Sequence, residues 1–157
     1  MIFKLFSINK IFDTRGYSQI FEFSQLYHNK FQRIYFSNNK KKGTLRGLHF
    51  QKKYKQNKLL IVKKGVIFDV LINLDKKSKN YKKVYSFKIG DKQKFNCIFI
   101  PSNFAHGFQT LVNDTSLIYL IDNKFEIKNE LINYNDPEFK IKWPIKKIII
   151  SKKDAPK

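Results

Sequence analysis

Branched and aromatic apolar residues recur along the chain in short segments separated by turn-forming residues, a pattern that is typical of β-strands. Residues 58–63 form one such segment, and residues 66–74 form the next one directly after Gly65. In residues 81–89 apolar side chains recur at alternate positions, which predicts a half-buried strand ending at the Gly90-Asp91 turn. Further strands are predicted at residues 97–100, 107–112 and 116–121.

Helical periodicity is scarce by comparison. Residues 21–31 are the best candidate, and they predict only a short helix. Strands that recur at spacings of about 8–12 residues, with turns between them, predict an all-β sandwich or barrel. A jelly roll with few short helices fits the length of 157 residues, and the lack of a repeat or linker predicts a single domain over residues 1–157.

The chain is strongly basic, with 32 lysines and arginines against 12 acidic residues and a net charge of +20. Such a charge favours a polyanionic partner such as nucleic acid. However, the basic residues are mostly lysines, their longest run is only residues 40–42, and the abundant lysine, asparagine and isoleucine are typical of AT-rich coding DNA. We therefore interpret the charge as a compositional trait, without a nucleic-acid partner, although it would still attract a sugar diphosphate.

Location in the cell is predicted from what the chain lacks. No apolar segment approaches the roughly 20 residues needed to cross a bilayer, and residues 1–10 do not resemble a secretory signal. The single cysteine, Cys97, excludes an internal disulfide and a cysteine pair for zinc. We expect a cytoplasmic protein that does not bind membranes.

Candidate chemistry centres on three histidines, His28, His49 and His106, the last two of which lie close to glycines. Taken singly, either of these two would be interpreted as a structural residue. No His-x-His pair or neighbouring carboxylate favours a metal site, and Cys97 lies in an apolar segment that is unlike a nucleophile's surroundings. Gly-rich phosphate loops and dinucleotide fingerprints are also absent from the sequence. Proton transfer is the chemistry that remains, and it requires a base, an acid and a cation.

The segment Arg-Gly-Leu-His-Phe-Gln at residues 46–51 resembles the signature of the dTDP-4-dehydrorhamnose 3,5-epimerase family. Other segments resemble further motifs of the same family, in the same order along the chain. Each motif is weak alone, but the ordered set spans residues 13–155. The matching segments are residues 13–16, 57–59, 66–70, 100–108, 117–119, 135–144 and 151–155.

The resemblance implies a cupin-type jelly roll that forms a homodimer, uses no cofactor or metal and acts on a nucleoside-diphosphate 4-keto-6-deoxy sugar. In such a sugar, loss of a proton from carbon 3 or 5 gives an enolate. By position, His49 would be the base, and Asp154 would orient it. Lys58 would stabilise the enolate oxygen, and Tyr119 would return a proton from the opposite face.

The resemblance also implies a set of substrate-binding residues. Arg46 and His106 would hold the sugar or enolate. Arg15 and Lys153 would contact the nucleotide or diphosphate, and Glu130 falls at a family binding position. Binding of a sugar diphosphate is thus expected to draw on both ends of the chain.

The chain departs from the family pattern at recognition positions. Gln19 or Ile20 falls where the family has a nucleotide-binding glutamate, and residues 34–36 replace a Gln-x-Asn stretch. An aromatic pair is reduced to residues 124–125. These changes spare the implied acid, base and cation, so they bear on which base and sugar are bound. Asp69 is open to two interpretations, as a buried structural carboxylate or as a site residue.

Two classes of function remain open besides the 3,5-epimerase. A close relative would invert one carbon only, or move the carbonyl as a ketoisomerase, on a different nucleotide sugar. A non-catalytic jelly roll would instead bind a polyanion through its charge. The retained His49, Lys58, Tyr119 and Asp154 argue against the binding module.

Overall fold

The computed structural model describes residues 2–21, 30–125 and 130–156, and its regular elements are β-strands. Most of the strands carry the short branched segments seen in the sequence. In chain order the strands are β1 (Lys4–Phe6), β2 (Ile11–Asp13), β3 (Gly16–Ser18), β4 (Arg33–Asn39), β5 (Leu45–Phe50), β6 (Lys58–Lys64), β7 (Val66–Asn73), β8 (Val84–Gly90), β9 (Cys97–Ile100), β10 (Phe104–Thr110), β11 (Thr115–Ile121) and β12 (Glu130–Leu131).

Two five-stranded antiparallel sheets form the body of the fold. The first sheet has the strand order β1-β9-β6-β11-β4, and the second has the order β12-β5-β10-β7-β8. Strands β2 and β3 make a separate hairpin. From β4 to β7 and again from β8 to β11 the chain alternates between the two sheets, which is the arrangement of a jelly roll. The predicted all-β jelly roll is confirmed.

The core lies between the two sheets, where their apolar side chains meet. Leu60 and Leu117 from the first sheet pack in one buried cluster with Leu71 and Phe108 from the second. Strand β10 is buried along its whole length because strands flank it on both sides and side chains cover both its faces. The centre of the second sheet is therefore a rigid platform for any functional side chain that it carries.

The predicted strands agree well with the observed ones where branched apolar residues dominate. The strand at residues 97–100 is confirmed, and those at 58–63, 66–74 and 116–121 differ by one residue at an end. The strand predicted at 81–89 begins only at Val84.

Two turns explain the shifted ends of predicted strands. Lys82 has a positive φ of 63° and donates its backbone N–H to the Asn73 carbonyl, which delays the start of β8. The strand predicted at 107–112 lies instead at Phe104–Thr110, because the chain turns before Asp114, whose φ is 51°.

The helix predicted at 21–31 falls mainly on residues 22–29, which lie outside the described residues. Within the described ranges the structure contains no helix. Consequently, no helix in this part of the chain is long and apolar enough to cross a membrane.

Strands β5 and β10 approach each other unusually closely at a pair of glycines. Gly47 has a φ of 111°, and a Cβ placed on it would lie 2.6 Å from the Gly107 Cα and from the His106 carbonyl oxygen. The ladder has an irregularity at this point, between His106 and Phe108. Glycine is required here both for its conformation and for the space. The close contact sets His106 directly opposite His49.

We predict that Gly47→Ala destabilises the protein much more than Gly16→Ala does. Both glycines have a positive φ, but nothing lies within 4 Å of a Cβ at Gly16. Gly16→Ala therefore controls for the backbone cost alone, and steric overlap should add about 2 kcal/mol for Gly47→Ala. Urea unfolding of both variants measures the difference, and equal free energies of unfolding would contradict the close-packing argument.

Candidate active site

A cavity of about 490 Å³ opens between the two sheets. Its walls carry side chains from β4 and β11 of the first sheet and from β5 and β10 of the second. The turn near the C-terminus closes one side with Ser151, Lys153 and Asp154. The predicted site residues that line it are Arg46, His49, Lys58, His106, Tyr119, Lys153 and Asp154.

His49 and Asp154 form the first histidine–carboxylate pair of the cavity. The His49 Nε2 lies 3.2 Å from the Asp154 Oδ1, and the Gly47 N–H donates to the other carboxylate oxygen at 3.3 Å. Burial, the largest effect, raises the pKa of Asp154, but the His49 ring, the Gly47 N–H and nearby Lys153 together lower it below its usual value. Asp154 thus stays ionised and can fix the orientation of the ring. The His49 Nδ1 has no hydrogen-bond partner among the described residues.

His106 and Asp69 form a second pair, which is more deeply buried than the first. The His106 Nε2 lies 2.7 Å from the Asp69 Oδ1, and Asp69 is fully buried. Asp69 does not line the cavity, because it stands on β7 behind β10. Its contact with the cavity is therefore indirect, through the His106 ring.

Tyr119 lies on β11 with its ring facing the His106 ring, at a centroid distance of 6.1 Å. The Tyr35 ring is 5.7 Å away on the neighbouring strand β4. Burial, followed by the charge of Asp69 and the proximity of Tyr35, raises the pKa of Tyr119 well above its usual value, although Arg46 lowers it. The phenol consequently keeps its proton at neutral pH and can act as a donor.

Lys58 stands at the start of β6 and supplies an ammonium group to the cavity. Burial and then the neighbouring Arg33 lower the pKa of Lys58 to about 8, and Asp69 opposes them. The side chain is therefore a cation at neutral pH that loses its proton only as the pH rises through about 8.

Arg46 is held in place by a network behind it. Its Nε donates to the Asn39 Oδ1 at 2.9 Å, and Asn39 in turn donates to the Thr115 carbonyl at 3.2 Å. These contacts fix the guanidinium at the wall that β4 and β5 form.

Besides Asp69, three further residues that the sequence assigned to substrate binding do not line the cavity. Arg15 is exposed and pairs with Asp13, and Gln19 contacts the Ile8 carbonyl and Lys63. The third, Glu130, forms an exposed ion pair with Lys52 at 3.1 Å. Their roles in binding stay predictions.

Several cavity residues were not among the predicted site residues. Arg33, Tyr35 and Ser37 alternate along β4 and line the cavity, as do Ile34 on the same strand and Phe125. The signal that could have found them is their period of two, had residues 33–39 been interpreted as a strand. In the part of the chain that the structure describes, no group of three or more His, Cys, Asp or Glu side chains converges as a metal ion would require.

The fold and the cavity together define a jelly roll with acid–base residues in its interior. The sequence model of dTDP-4-dehydrorhamnose 3,5-epimerase matches residues 3–157, and the chain belongs to this family. A relative of that name from Methanothermobacter thermautotrophicus is 37% identical over 117 residues, which cover 72% of this chain. The matched part spans 63% of the length of that relative.

Two solved structures extend the similarity to nearly the whole chain. The epimerase of this name from Bacillus anthracis, with TDP and PPi bound, is 30% identical, with a TM-score of 0.87 over 98% of this chain and 97% of its own. The dTDP-6-deoxy-D-glucose-3,5-epimerase from Legionella pneumophila, in complex with dTDP-4-keto-L-rhamnose, is 28% identical, with a TM-score of 0.89 over 97% of this chain and 84% of its own.

We predict that Lys58 titrates near pH 8, apart from the other lysines. Carbon-13 NMR of the lysine side chains measures this, and Lys58→Met identifies the signal. In Arg33→Gln the pKa of Lys58 should rise, because the second-largest cause of the shift is removed. Lys88→Gln removes an exposed charge on β8 and should leave it unchanged. Titration of Lys58 near the ordinary 10.5 would contradict the assignment.

Proposed function

We propose that the protein inverts carbons 3 and 5 of a nucleoside-diphosphate 4-keto-6-deoxy sugar, converting dTDP-4-dehydro-6-deoxyglucose into dTDP-4-dehydrorhamnose. The observation that carries the proposal is the convergence of His49, Tyr119 and Lys58 on one cavity. Membership of the epimerase family supports the reaction, and the nucleotides bound to the two structural relatives support a thymidine diphosphate sugar.

Proton removal is the first step of the proposed reaction. The carbons beside the ketone are weakly acidic because the electron pair left behind delocalises onto the carbonyl oxygen as an enolate. His49 takes the proton as the base, and Asp154 holds the ring through its Nε2. The ionised Asp154 stabilises the imidazolium that forms, as a buried carboxylate does for a catalytic histidine.

Stabilisation of the enolate and return of a proton complete the inversion. The Lys58 ammonium provides a fixed positive charge for the enolate oxygen. Tyr119 then donates its proton to the opposite face of the carbon. The phenol has this proton at neutral pH because its pKa is raised. One proton leaves and one returns at each carbon, so the reaction balances without oxidation or reduction.

We predict that the protein incorporates solvent deuterium at both carbons when it acts on dTDP-4-dehydro-6-deoxyglucose in heavy water. NMR of the product counts the exchanged positions and their configuration. Deuterium at one carbon only would indicate a single-carbon epimerase, and a moved carbonyl would indicate a ketoisomerase. The absence of any exchange would mean that the enolate mechanism is wrong.

Two variants separate the proposed acid from the proposed base in the same assay. His49→Ala should abolish exchange, because no base remains, whereas Tyr119→Phe should permit exchange but impair inversion. Tyr81→Phe removes an exposed phenol outside the cavity and should react as the wild type does. Near-complete exchange by His49→Ala would identify a different base.

We also propose that the protein acts as a homodimer. Among the described residues, strand β4 forms one edge of the first sheet. Its residues Ile34 and Phe36 are 58% and 64% exposed. An exposed apolar edge strand favours association with a second strand or sheet.

We further propose that residues 1–157 form one domain and that the protein lies in the cytoplasm. This is supported by the core shared between the sheets and by the free Cys97.

We predict that sedimentation velocity gives twice the mass of the chain. Phe36→Glu should shift the protein towards the monomer, because burial of a new charge at a contact is costly. Tyr81→Glu, at an exposed aromatic residue in the turn before β8, should not do so. A monomeric wild type at micromolar concentration would contradict the dimer, and an unchanged Phe36→Glu dimer would place the contact elsewhere.

A further inference from the structure

Arg33 and Lys58 lie in register on the two strands that flank β11 in the first sheet. Ile121 on β11 pairs with Arg33 on one side and with Lys58 on the other. Residues paired across neighbouring strands point to the same face of a sheet. All three side chains line the cavity, and Arg33 and Lys58 therefore make one end of it cationic. The next level along the strands, two residues away, holds Tyr35 and Tyr119.

The Arg33 guanidinium is positioned by an aromatic ring and has no carboxylate partner among the described residues. Its Cζ lies 5.3 Å from the Phe125 ring centroid, and its Nε is buried with no hydrogen-bond partner in the described ranges. The other two arginines have partners, Asn39 for Arg46 and Asp13 for Arg15. A buried, unmatched guanidinium N–H is costly, and the rest of this unpaired side chain lines the cavity, where a ligand can contact it.

Lys153 lies near the same aromatic ring from the C-terminal turn. Its Nζ is 5.8 Å from the Phe125 centroid, so Arg33 and Lys153 flank one side chain at the cavity wall. Among the described residues that line the cavity, two arginines and two lysines stand against the single carboxylate of Asp154, so net positive charge remains. A ligand that bears several negative charges fits the positive charge that remains.

We infer that Arg33 binds the diphosphate of the nucleotide sugar together with Lys153, an inference that rests on the proposed function. The planar fork of arginine matches phosphate oxygens with two parallel hydrogen bonds. The enolate oxygen carries a single negative charge, and Lys58 is already the cation that stabilises it. A diphosphate presents two charged groups and therefore needs further cations. Arg33 is thus a residue for substrate recognition, and the chemical step remains with His49 and Tyr119.

Calorimetric binding of TDP, inorganic pyrophosphate and thymidine tests the inference in the full-length protein. Arg33→Gln should weaken TDP and pyrophosphate binding about 10- to 100-fold, as expected for loss of charged hydrogen bonds, and leave thymidine binding unchanged. Arg33→Lys should fall between the two, because it keeps the charge and loses the fork. Lys88→Gln removes one exposed charge outside the cavity and should bind as the wild type does.

Kinetics of deuterium exchange complete the test. In Arg33→Gln we expect KM to rise while kcat stays within about threefold, because the variant loses binding energy that is the same for the substrate and the transition state. Unchanged TDP affinity in both Arg33 variants overturns the inference. So does an equal loss of thymidine affinity, or a fall in kcat alone, which would assign Arg33 to the chemical step.

Deuterium exchange and TDP binding by the wild type distinguish failure of the Arg33 inference from failure of the proposed epimerase reaction. Deuterium exchange by the wild type with normal TDP binding by Arg33→Gln overturns the role of Arg33 alone. TDP binding that depends on Arg33, without any exchange by the wild type, overturns the epimerase reaction alone. A wild type that binds neither TDP nor pyrophosphate and exchanges no deuterium overturns both.

Discussion

The close contact of β5 with β10 is the constraint on which the site depends. Gly47 and Gly107 let the two backbones approach, and the resulting register sets His49 opposite His106. The Gly47 N–H also holds the Asp154 carboxylate, 107 residues away in the sequence. One residue without a side chain thus joins the packing of the second sheet to the orientation of the proposed base. A side chain at this position would disturb both at once.

Pairing of the buried carboxylates with histidines determines the electrostatics of the cavity. Asp154 and Asp69 each have a ring nitrogen as partner, and within the described residues no direct ion pair joins the lysines and arginines of the walls to a carboxylate. Burial and the charge of Arg33 lower the pKa of Lys58. Burial, Asp69 and Tyr35 raise the pKa of Tyr119. At neutral pH the cavity therefore combines a cation with a neutral acid, as enolate chemistry requires.

The sequence predicted the parts of the fold in which local and global preferences agree. Strands β6, β7, β9 and β11 are rich in branched apolar residues and each lies between two other strands, so their patterns are clear. Strand β4 escaped prediction because polar Arg33, Tyr35 and Ser37 line the cavity while apolar Ile34 and Phe36 are largely exposed, the reverse of the usual pattern. Motif order placed seven cavity residues, yet no local signal could reveal that Asp69 stands behind His106, which only strand register decides.

One of the three departures from the family pattern, at residues 34–36, lies on this unpredicted strand. Residues 34–36 stand where the family has Gln-x-Asn, and the Tyr35 ring now packs beside Tyr119 rather than presenting an amide. Recognition by polar side chains on β4 therefore has to come from elsewhere on the strand. Arg33, one position before this stretch, provides a guanidinium at the cavity wall. If it binds the diphosphate as we propose, the strand has kept its part in substrate binding with a different residue, while the proton-transfer residues His49 and Tyr119 on other strands match the family pattern.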